Sequence, residues 1–535
     1  MTEKNKNTPT EETTVYLVGS GIASLASATY LIIDAGVPGE NIHILEQSNI
    51  AGGALDGSGD PENGFIIRGG RMHEEHFVCY WDLLSNIPSY DDPNISVKDE
   101  TFEFNSRYVS HAQARLLKNG KIKDVSSFEL SLKDQTSLLK LLFANEKSLN
   151  YVRISDWFGK EFFETNFWLL WATMFAFQKW SCVAEMRRYM KRFIHLFDGM
   201  PMLRGILRTK YNQYHSVVVP LQRYLQNQGV KFEMNTQVVD INFDISNDKK
   251  TATSLRIIID SAKENKIPLK ESDYVFITNG SITESTDCGS WSKPPVLKDK
   301  STSGAWMLWE KIASKDKAFG NPRVFSDNID QQKWYSFTAT LKDDTFHDYM
   351  EDFSGNLNGT GGLVTITDSN WLMSIVIARQ PHFPNQPNDV KVFWGYALFP
   401  DNEGNYVKKK MSDCSGQDIL EELWCHLNIQ DLMKPISDSG KVNCIPVAMP
   451  FIDSLFMPRA VGDRPAVIPK DATNFAFLGQ FAEVPKDCVF TVEYSVRCAQ
   501  TAVYGLFNTK KNVIPVYDSI HKPEFLIKAM RAISR

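Results

Sequence analysis

The chain opens with an apolar run, a glycine-rich turn and a second apolar run, which together predict a strand, a helix and another strand. The first run begins at Thr14 and leads into Gly19-Ser-Gly21-Ile-Ala-Ser24. The second run, Ile42-His-Ile-Leu, ends at the acidic residue Glu46. A strand that leads into Gly-x-Gly-x-x-Ser, followed by a helix and a strand ending in an acid, is typical of a dinucleotide-binding unit.

Each position of this motif has a physical role in holding a dinucleotide. Gly19 permits the tight turn, and Gly21 lets the backbone approach a pyrophosphate at the positive end of the helix. Ser24 stands where the usual pattern has a third glycine and is small enough for close helix–strand packing. Glu46, with Gln47 beside it, is expected to hold the adenosine ribose. An ordinary strand–helix turn with an incidental acid is the alternative interpretation.

Later glycine turns favour FAD over NAD as the dinucleotide. Gly52-Gly53 and Gly69-Gly70-Arg71 come where a flavoprotein passes its chain along the rest of the cofactor. Near the other end, residues 474–481 predict a buried strand that turns at Gly479 and Gln480, with a helix over 488–506 after it.

Two further apolar segments, 229–238 and 273–280, predict more strands of the same domain. Val238, Asn279 and Gly280 are the candidate cofactor-binding residues there. The predicted fold class is therefore α/β, with a Rossmann-like FAD-binding domain, a β-rich substrate lobe and a helical insertion or cap. The predicted regions are a disordered lead (1–13), the FAD-binding domain in three parts (14–124, 215–290 and 446–510), a helical substrate-lining region (125–214), the substrate lobe (291–445) and a C-terminal tail or helix (511–535).

The predicted helical region is rich in aromatic side chains, which suit either a long hydrophobic substrate beside a flavin or a plain helical core. They are Phe162, Phe163, Phe167, Trp168, Trp171, Phe175, Phe177 and Trp180. The longest apolar stretch, 167–177, is too short to span a bilayer.

Composition adds limits on partners and compartment. The net charge of −6 gives no reason to expect nucleic acid. The eight cysteines form no C-x-x-C pair and no metal-ligand spacing, so we expect no metal and a cytoplasmic protein with reduced thiols. Residues 523–531 predict a short basic amphipathic helix, which could rest peripherally on an anionic membrane or dock on the protein's own core.

Several blocks resemble one family. The run Phe65–Cys79 contains Arg68-Gly-Gly-Arg71 and resembles the Arg-Gly-Gly-Arg-Glu signature of the oleate hydratases, also called myosin-cross-reactive antigens. Other blocks resemble the same family in the same order, so that the resemblance covers most of the chain. They are Met174–Trp180, Arg187–His195, Arg208–Tyr214, Thr278–Ser281 and Arg379–Phe383.

The resemblance implies an FAD-containing hydro-lyase that adds water across a cis double bond of a free unsaturated fatty acid, with oleate to 10-hydroxystearate as the type reaction. It implies that the flavin undergoes no net redox change and that its reduced form supports the higher activity. Many members are dimers with a longer C-terminal region, so a monomer is expected here and a homodimer is the alternative.

The resemblance assigns proton donation to Tyr189, which shares one predicted helical face with Met186 and Phe193. The signature glutamate that activates water is replaced by Met72, which cannot accept a proton. His73, Glu74 and Glu75 could supply the base, with Glu74 considered first. The flavin and the backbone could also place the water, and the three polar residues could form only a solvated turn.

The resemblance also assigns the substrate carboxylate to Gln213 and His382, with Asn212 beside Gln213. Val376 and Ala378 stand where the family has a threonine and an asparagine, which predicts a shifted or weaker carboxylate grip or a different substrate. Two other function classes stay open. One is a redox flavoenzyme such as a desaturase, isomerase or amine-oxidase-like protein, and the other is a non-catalytic fatty-acid-binding flavoprotein.

Overall fold

The computed structural model describes residues 8–261 and 263–534, so residues 1–7 of the predicted lead lie outside the described residues. Its strands, in chain order, are β1 (Val15–Val18), β2 (Ile42–Leu45), β3 (Ser58–Asp60), β4 (Gly64–Ile66), β5 (His73–Glu74), β6 (Leu116–Lys118), β7 (Lys121–Ile122), β8 (Ile206–Leu207), β9 (Lys231–Glu233), β10 (Thr236–Ile245), β11 (Lys250–Ile259), β12 (Glu264–Pro268), β13 (Tyr274–Thr278), β14 (Asp287–Cys288), β15 (Trp334–Leu341), β16 (Leu363–Ile366), β17 (Met373–Val376), β18 (Lys391–Ala397), β19 (Val442–Met449) and β20 (Phe475–Leu478).

The α-helices connect and cover the sheets. They are α1 (Ile22–Tyr30), α2 (Val78–Leu84), α3 (Val97–Arg107), α4 (Leu132–Phe143), α5 (Ile154–Trp157), α6 (Asn166–Phe175), α7 (Val183–Phe193), α8 (Val219–Asn227), α9 (Gly304–Ala313), α10 (Arg323–Ser326), α11 (Ile329–Gln332), α12 (Thr345–Ser354), α13 (Gly416–Leu427), α14 (Gln430–Asp438), α15 (Val492–Leu506) and α16 (Pro523–Ile533).

The first sheet is parallel and follows the order β20-β13-β1-β2-β9. Its central strands are continuous apolar runs, and Leu17 on β1 and Phe276 on β13 are fully buried. Such runs are expected where helices cover both faces of a parallel sheet. The predicted α/β class with a Rossmann-like sheet is thereby confirmed.

The second large sheet has eight strands in the order β14-β19-β15-β18-β17-β16-β6-β7. All eight residues of β15, which lies between β19 and β18, are buried. The last two strands of this order, β6 and β7, come from the region predicted as the first FAD-binding part, and β19 crosses the predicted boundary at residue 445. These pairings, such as Thr365 with Leu116, are long-range contacts that a local sequence pattern does not reveal.

The C-terminal helix α16 packs against the turn at residues 194–202. Ala529 and Ala532 are buried, and the Phe525 ring lies 5.8 Å from the His195 ring. Ile527 and Met530 remain exposed on its other side. Among the described residues, no helix has the length and apolar character needed to cross a membrane.

A buried ion network anchors α7. Both Arg459 and Arg464 donate to Oε1 of Glu185, at 2.7 and 2.8 Å, and all three side chains are buried. On the same helix, Arg188 pairs with Glu146 and Glu483. This network ties α7 to the segment that precedes β20.

We expect Glu185→Gln to lower the free energy of unfolding by about 3 kcal/mol, because it removes the buried carboxylate that both Arg459 and Arg464 contact. Urea denaturation of the purified protein measures this. The control is Glu103→Gln, which removes an exposed partner of Arg107 and should change stability little. Equal effects of the two substitutions would contradict the role of the buried network.

Candidate active site

A cavity of about 810 Å³ opens at the carboxyl ends of the parallel strands. Its walls include the β1–α1 turn, the end of β2, the turns after β13 and β20, and the start of α15. Of the thirteen residues that the sequence indicated for cofactor binding, eleven line it: Gly19, Gly21, Glu46, Gln47, Gly52, Gly53, Arg71, Val238, Gly280, Gly479 and Gln480.

The glycines of this cavity differ in what a side chain would meet. Gly21 has an extended backbone, with φ of −67°, and a Cβ there would meet no described atom within 4 Å. It therefore faces open space in front of the α1 N-terminus. Gly52 has φ of +114°, and a Cβ there would lie 2.9 Å from both Cγ atoms of Val218. Gly21 thus keeps space for a ligand, whereas Gly52 permits a strained turn and close packing.

The carboxylate of Glu46 is fixed by the loops around it. Its Oε2 accepts hydrogen bonds from the backbone N of Ser20, at 2.9 Å, and from the Ser20 hydroxyl, at 2.6 Å. Its Oε1 accepts from the N and Oγ of Ser48, both at 2.8 Å. These bonds hold the acid at the edge of the cavity.

Ser24 and Asn279 do not line the cavity but lie directly behind it. The Ser24 hydroxyl is 3.3 Å from the hydroxyl of Thr278, a cavity residue, so Ser24 joins α1 to β13. Both polar side-chain atoms of Asn279 are buried without a hydrogen-bond partner among the described residues. Since buried amides are normally satisfied, Asn279 fits a polar ligand atom at this point.

A second, largely apolar cavity of about 110 Å³ adjoins the first. The two cavities share Arg71 and the residues 490–492 at the start of α15. Aromatic side chains of the predicted helical region, Trp171 and Phe175, form part of its wall. The residues predicted to be catalytic, Met72, His73, Glu74 and Tyr189, also line it.

Tyr189 is buried on α7, between the rings of Phe175 and Phe177 at 4.9 and 5.0 Å. Its hydroxyl donates a hydrogen bond to the carbonyl of Val489 at 2.6 Å. Burial, followed by the negative charges nearby, raises the pKa of Tyr189 well above the usual value. The phenol is therefore protonated at neutral pH.

The Glu74 carboxylate is already occupied by neighbouring donors. Nη2 of Arg192 lies 2.8 Å from Oε1, and the backbone N and Nδ1 of His76 donate to Oε2 at 2.8 and 3.0 Å. Burial raises the pKa of Glu74, but the hydrogen bonds from His195 and His76 and the charge of Arg192 outweigh burial and hold it far below its usual range. A carboxylate stabilised in this way is a weak base, which speaks against the expectation that Glu74 comes first.

The ligand atoms of Glu74, His76 and His195 lie within 4.8 Å of one another, a spacing that a metal ion could use. Arg192 already neutralises the same carboxylate, and a second cation would meet its repulsion. We therefore assign these residues to an ion-pair network.

His73 differs from Glu74 in its charge and in its lack of described hydrogen-bond partners at one ring nitrogen. Strand β5 pairs with β8, opposite Leu207, and holds the buried ring against Tyr80 at 5.0 Å. Burial, and then the charges of Arg208 and Arg71, lower the pKa of His73 to about 3, so the ring is neutral at pH 7. Its Nδ1 has no hydrogen-bond partner within the described part of the chain. A neutral imidazole with a free nitrogen can hydrogen-bond to a water molecule and orient it.

The residues predicted to hold a carboxylate lie behind this cavity rather than in its wall. Nε2 of Gln213 donates to the carbonyl of Gly69 at 2.6 Å. Nδ2 of Asn212 donates to the carbonyl of His382 at 2.9 Å. In the structure, these amides brace the Gly69-Gly70 turn and the loop at residue 382.

Val376 and Ala378 lie in the same neighbourhood. Val376 pairs with Trp394 across β17 and β18, and the Trp394 ring would lie 3.5 Å from a Cβ at Gly70. Ala378 accepts a hydrogen bond from Nε2 of Gln380 through its carbonyl, at 2.9 Å. The structure therefore brings the five candidates close together, although none lines either cavity.

Sequence reasoning missed the turn at residues 490–492, as well as Arg192 and Arg208. Both arginines lie in blocks that carried the family resemblance, yet nothing in the local sequence showed that their side chains would lie beside the site. Phe490 has φ of +68°, a left-handed conformation that is uncommon outside glycine. The apolar residues around it gave no sign of such a turn.

The parallel sheet, with the larger cavity at the carboxyl ends of its strands, defines a Rossmann-like α/β protein. Two solved structures share this fold: cyclohexylamine oxidase from Brevibacterium oxydans IH-35A and a putrescine oxidase variant with redesigned cofactor binding. Their TM-scores are 0.53 and 0.50 and their identities 11% and 12%, and each comparison covers 92% of this chain and 98% of the other.

The sequence comparisons are more specific. Residues 12–504 match the model of the MCRA family. The chain is 41% identical to oleate hydratase from Streptococcus pyogenes serotype M49 (strain NZ131), over 97% of this chain and 89% of that protein. It is 34% identical to linoleate hydratase from Lactiplantibacillus plantarum, over 96% and 97%. The chain belongs to the MCRA family, which confirms the resemblance.

If FAD occupies this cavity, as the sequence predicts, we expect Gly21→Val to fold and to lose FAD, because a Cβ at residue 21 enters the open space in front of α1 with no described atom within 4 Å. Flavin absorbance after reconstitution with FAD and gel filtration measures the loss. The control is Gly159→Val, since Gly159 also has negative φ and lies outside both cavities. Full FAD retention by the Gly21→Val protein would place the dinucleotide elsewhere.

Proposed function

We propose that this protein is an FAD-dependent hydratase that adds water across a cis double bond of a free unsaturated fatty acid, as in the conversion of oleate to 10-hydroxystearate. The observation that carries the proposal is the apolar cavity, in which a protonated tyrosine and a neutral histidine face a space that adjoins the dinucleotide cavity. The oleate and linoleate hydratases among its relatives support this substrate class.

The residues of the larger cavity fit FAD. The Gly19–Gly21 turn and the α1 N-terminus suit the diphosphate, Glu46 suits the adenosine ribose, and the α15 N-terminus faces the junction between the cavities. Bound FAD, more effective in its reduced form, would supply shape and charge at this junction without net redox change.

Hydration needs one proton on one alkene carbon and a hydroxyl group on the other, and one water molecule supplies both. Tyr189 would give the proton from its hydroxyl to the alkene once that hydroxyl turns away from the Val489 carbonyl. Because burial disfavours a lasting phenolate, the proton that the attacking water releases is expected to return to Tyr189. The apolar walls keep other water away from the developing cation.

We assign the placement of the attacking water to His73 rather than to Glu74. The free Nδ1 of His73 and its neutral ring support this role, whereas the ion pair with Arg192 keeps Glu74 weakly basic. Met72 contributes apolar wall at the position of the family glutamate.

Mass spectrometry of products from oleate in ¹⁸O-labelled water, with reduced FAD and no electron acceptor, tests the function. Hydroxystearate carrying labelled oxygen would support hydration. Stoichiometric flavin reduction by the lipid would instead favour a redox enzyme. Lipid binding without product from oleate, palmitoleate or linoleate would favour a binding protein.

We expect Tyr189→Phe to lower kcat at least ~10-fold, within the usual range for loss of an acid–base group, and to leave FAD and lipid binding intact. Steady-state kinetics and flavin absorbance measure both. Phe175→Leu, a change in the wall beside Tyr189, is the comparison for altered packing. Unchanged turnover in the Tyr189→Phe protein would remove the hydroxyl from the mechanism.

We expect His73→Gln to lower kcat about 10-fold or more at every pH between 5 and 8. The loss should be uniform because the pKa of His73 is lowered from 6.5 to about 3, so the ring stays neutral throughout this range. The exposed His521→Gln is the matched control. A loss that disappears below pH 6.5 would show that His73 titrates normally and would contradict this role.

A further inference from the structure

Two arginines beside the apolar cavity, the buried Arg115 and the half-buried Arg208, have no acidic partner among the described residues. The Arg115 side chain is 1% exposed, and it donates to the carbonyls of Leu363 and Met200 at 2.9 and 3.0 Å. Its Nη2 has no partner within residues 8–261 and 263–534, and the same holds for the buried Nε and Nη2 of Arg208. Neither guanidinium group forms an ion pair in the described structure.

Such an arrangement is costly unless a ligand compensates it. A buried charge without a partner loses its hydration and gains no attraction in return. Burial lowers the pKa of both arginines to about 10, and Arg208 further lowers that of Arg115, so both remain charged at pH 7. The two cations repel each other, and the histidines near Arg208, His73 and His382, are kept neutral with pKa values of about 3. An anion held between these groups would offset their charges.

The two guanidinium groups lie close to the apolar cavity. Met200, whose carbonyl accepts from Arg115, and Leu203 both line this cavity. A Cβ at Gly362 would overlap the Leu203 side chain and lie 3.0 Å from Nη2 of Arg208. The guanidinium groups therefore lie directly behind the Met200 and Leu203 wall, and a turn of the Leu203 side chain would connect them to the cavity.

We propose that Arg208, with Arg115 beside it, binds the carboxylate of the fatty acid substrate. This inference rests on the proposed function and names the head-group site for it. The guanidinium fork presents parallel N–H donors that match the two oxygens of a carboxylate. Arg208 also lies near His382. The two arginines therefore supply the attraction for a carboxylate that the apolar Val376 and Ala378 cannot.

Binding of two lipids that differ only in their head group tests this site. Palmitate has no double bond and cannot be hydrated, and hexadecanol has the same chain without the charge. Calorimetric titration of the FAD-loaded protein gives Kd for each. We expect Arg208→Met and Arg115→Met to weaken palmitate binding about 10- to 100-fold, as for loss of charged hydrogen bonds, and hexadecanol binding less than ~2-fold.

The matched control is Arg107→Met, which removes an exposed cation that pairs with Glu103. It should change the Kd of neither palmitate nor hexadecanol. If Arg208→Met fails to fold, Arg208→Lys and Arg115→Lys keep the charge, remove the fork and should still lower the preference for palmitate. Equal weakening of palmitate and hexadecanol, or no weakening, would overturn the anchor. Failure of the unchanged protein to bind either lipid would overturn the proposed function as well, so the two failures are distinguishable.

Discussion

The hydrogen bonds around the turn at residues 489–492 connect the two halves of the site. The carbonyl of Val489 accepts from Tyr189, while the N–H of Phe490 donates to Oε1 of Gln480 at 2.5 Å. Nε2 of Gln480 in turn donates to the carbonyl of Thr491 at 3.0 Å. One short segment therefore fixes the tyrosine of the apolar cavity and the α15 N-terminus at the larger cavity. The position of one relative to the other depends on these hydrogen bonds.

Desolvation then determines what each titratable group in the apolar cavity can do. It raises the pKa of Tyr189 and lowers that of His73, so both groups are neutral at pH 7. Glu74 stays ionised because Arg192 and the two histidines outweigh the same effect. A protonated tyrosine and a neutral imidazole that can orient water suit protonation of an alkene, whereas Met72 adds apolar wall and no further charge at the position of the family glutamate.

The sequence predicts local features far better than contacts between distant segments. The turn at Gly19 and Gly21 could be recognised because strand, glycine spacing, helix and acid are all encoded within about thirty residues. The placement of β6 in the eight-stranded sheet depends on its pairing with β16, which is far away in the chain. The weak basicity of Glu74 likewise depends on Arg192 and His195, which reach it only through the fold. The residues predicted to hold the substrate carboxylate lie near one another in the structure. Residue type alone did not show that their amides would donate hydrogen bonds to backbone carbonyls.

The buried and half-buried arginines of this chain divide into two groups that help to interpret the site. Arg192, Arg464 and Arg497 each contact a carboxylate, which offsets the cost of their burial. Arg71, Arg115 and Arg208 form no ion pair with any described acid. Arg71 lines both cavities, whereas Arg115 and Arg208 lie behind Met200 and Leu203 in the wall of the apolar one. Because an uncompensated buried cation is unfavourable for stability, its retention at a cavity wall favours a ligand as the counterion. Arg71 lies where an anionic cofactor would approach, and Arg208 and Arg115 lie where a fatty acid would end, so the same electrostatic argument accounts for both ends of the site.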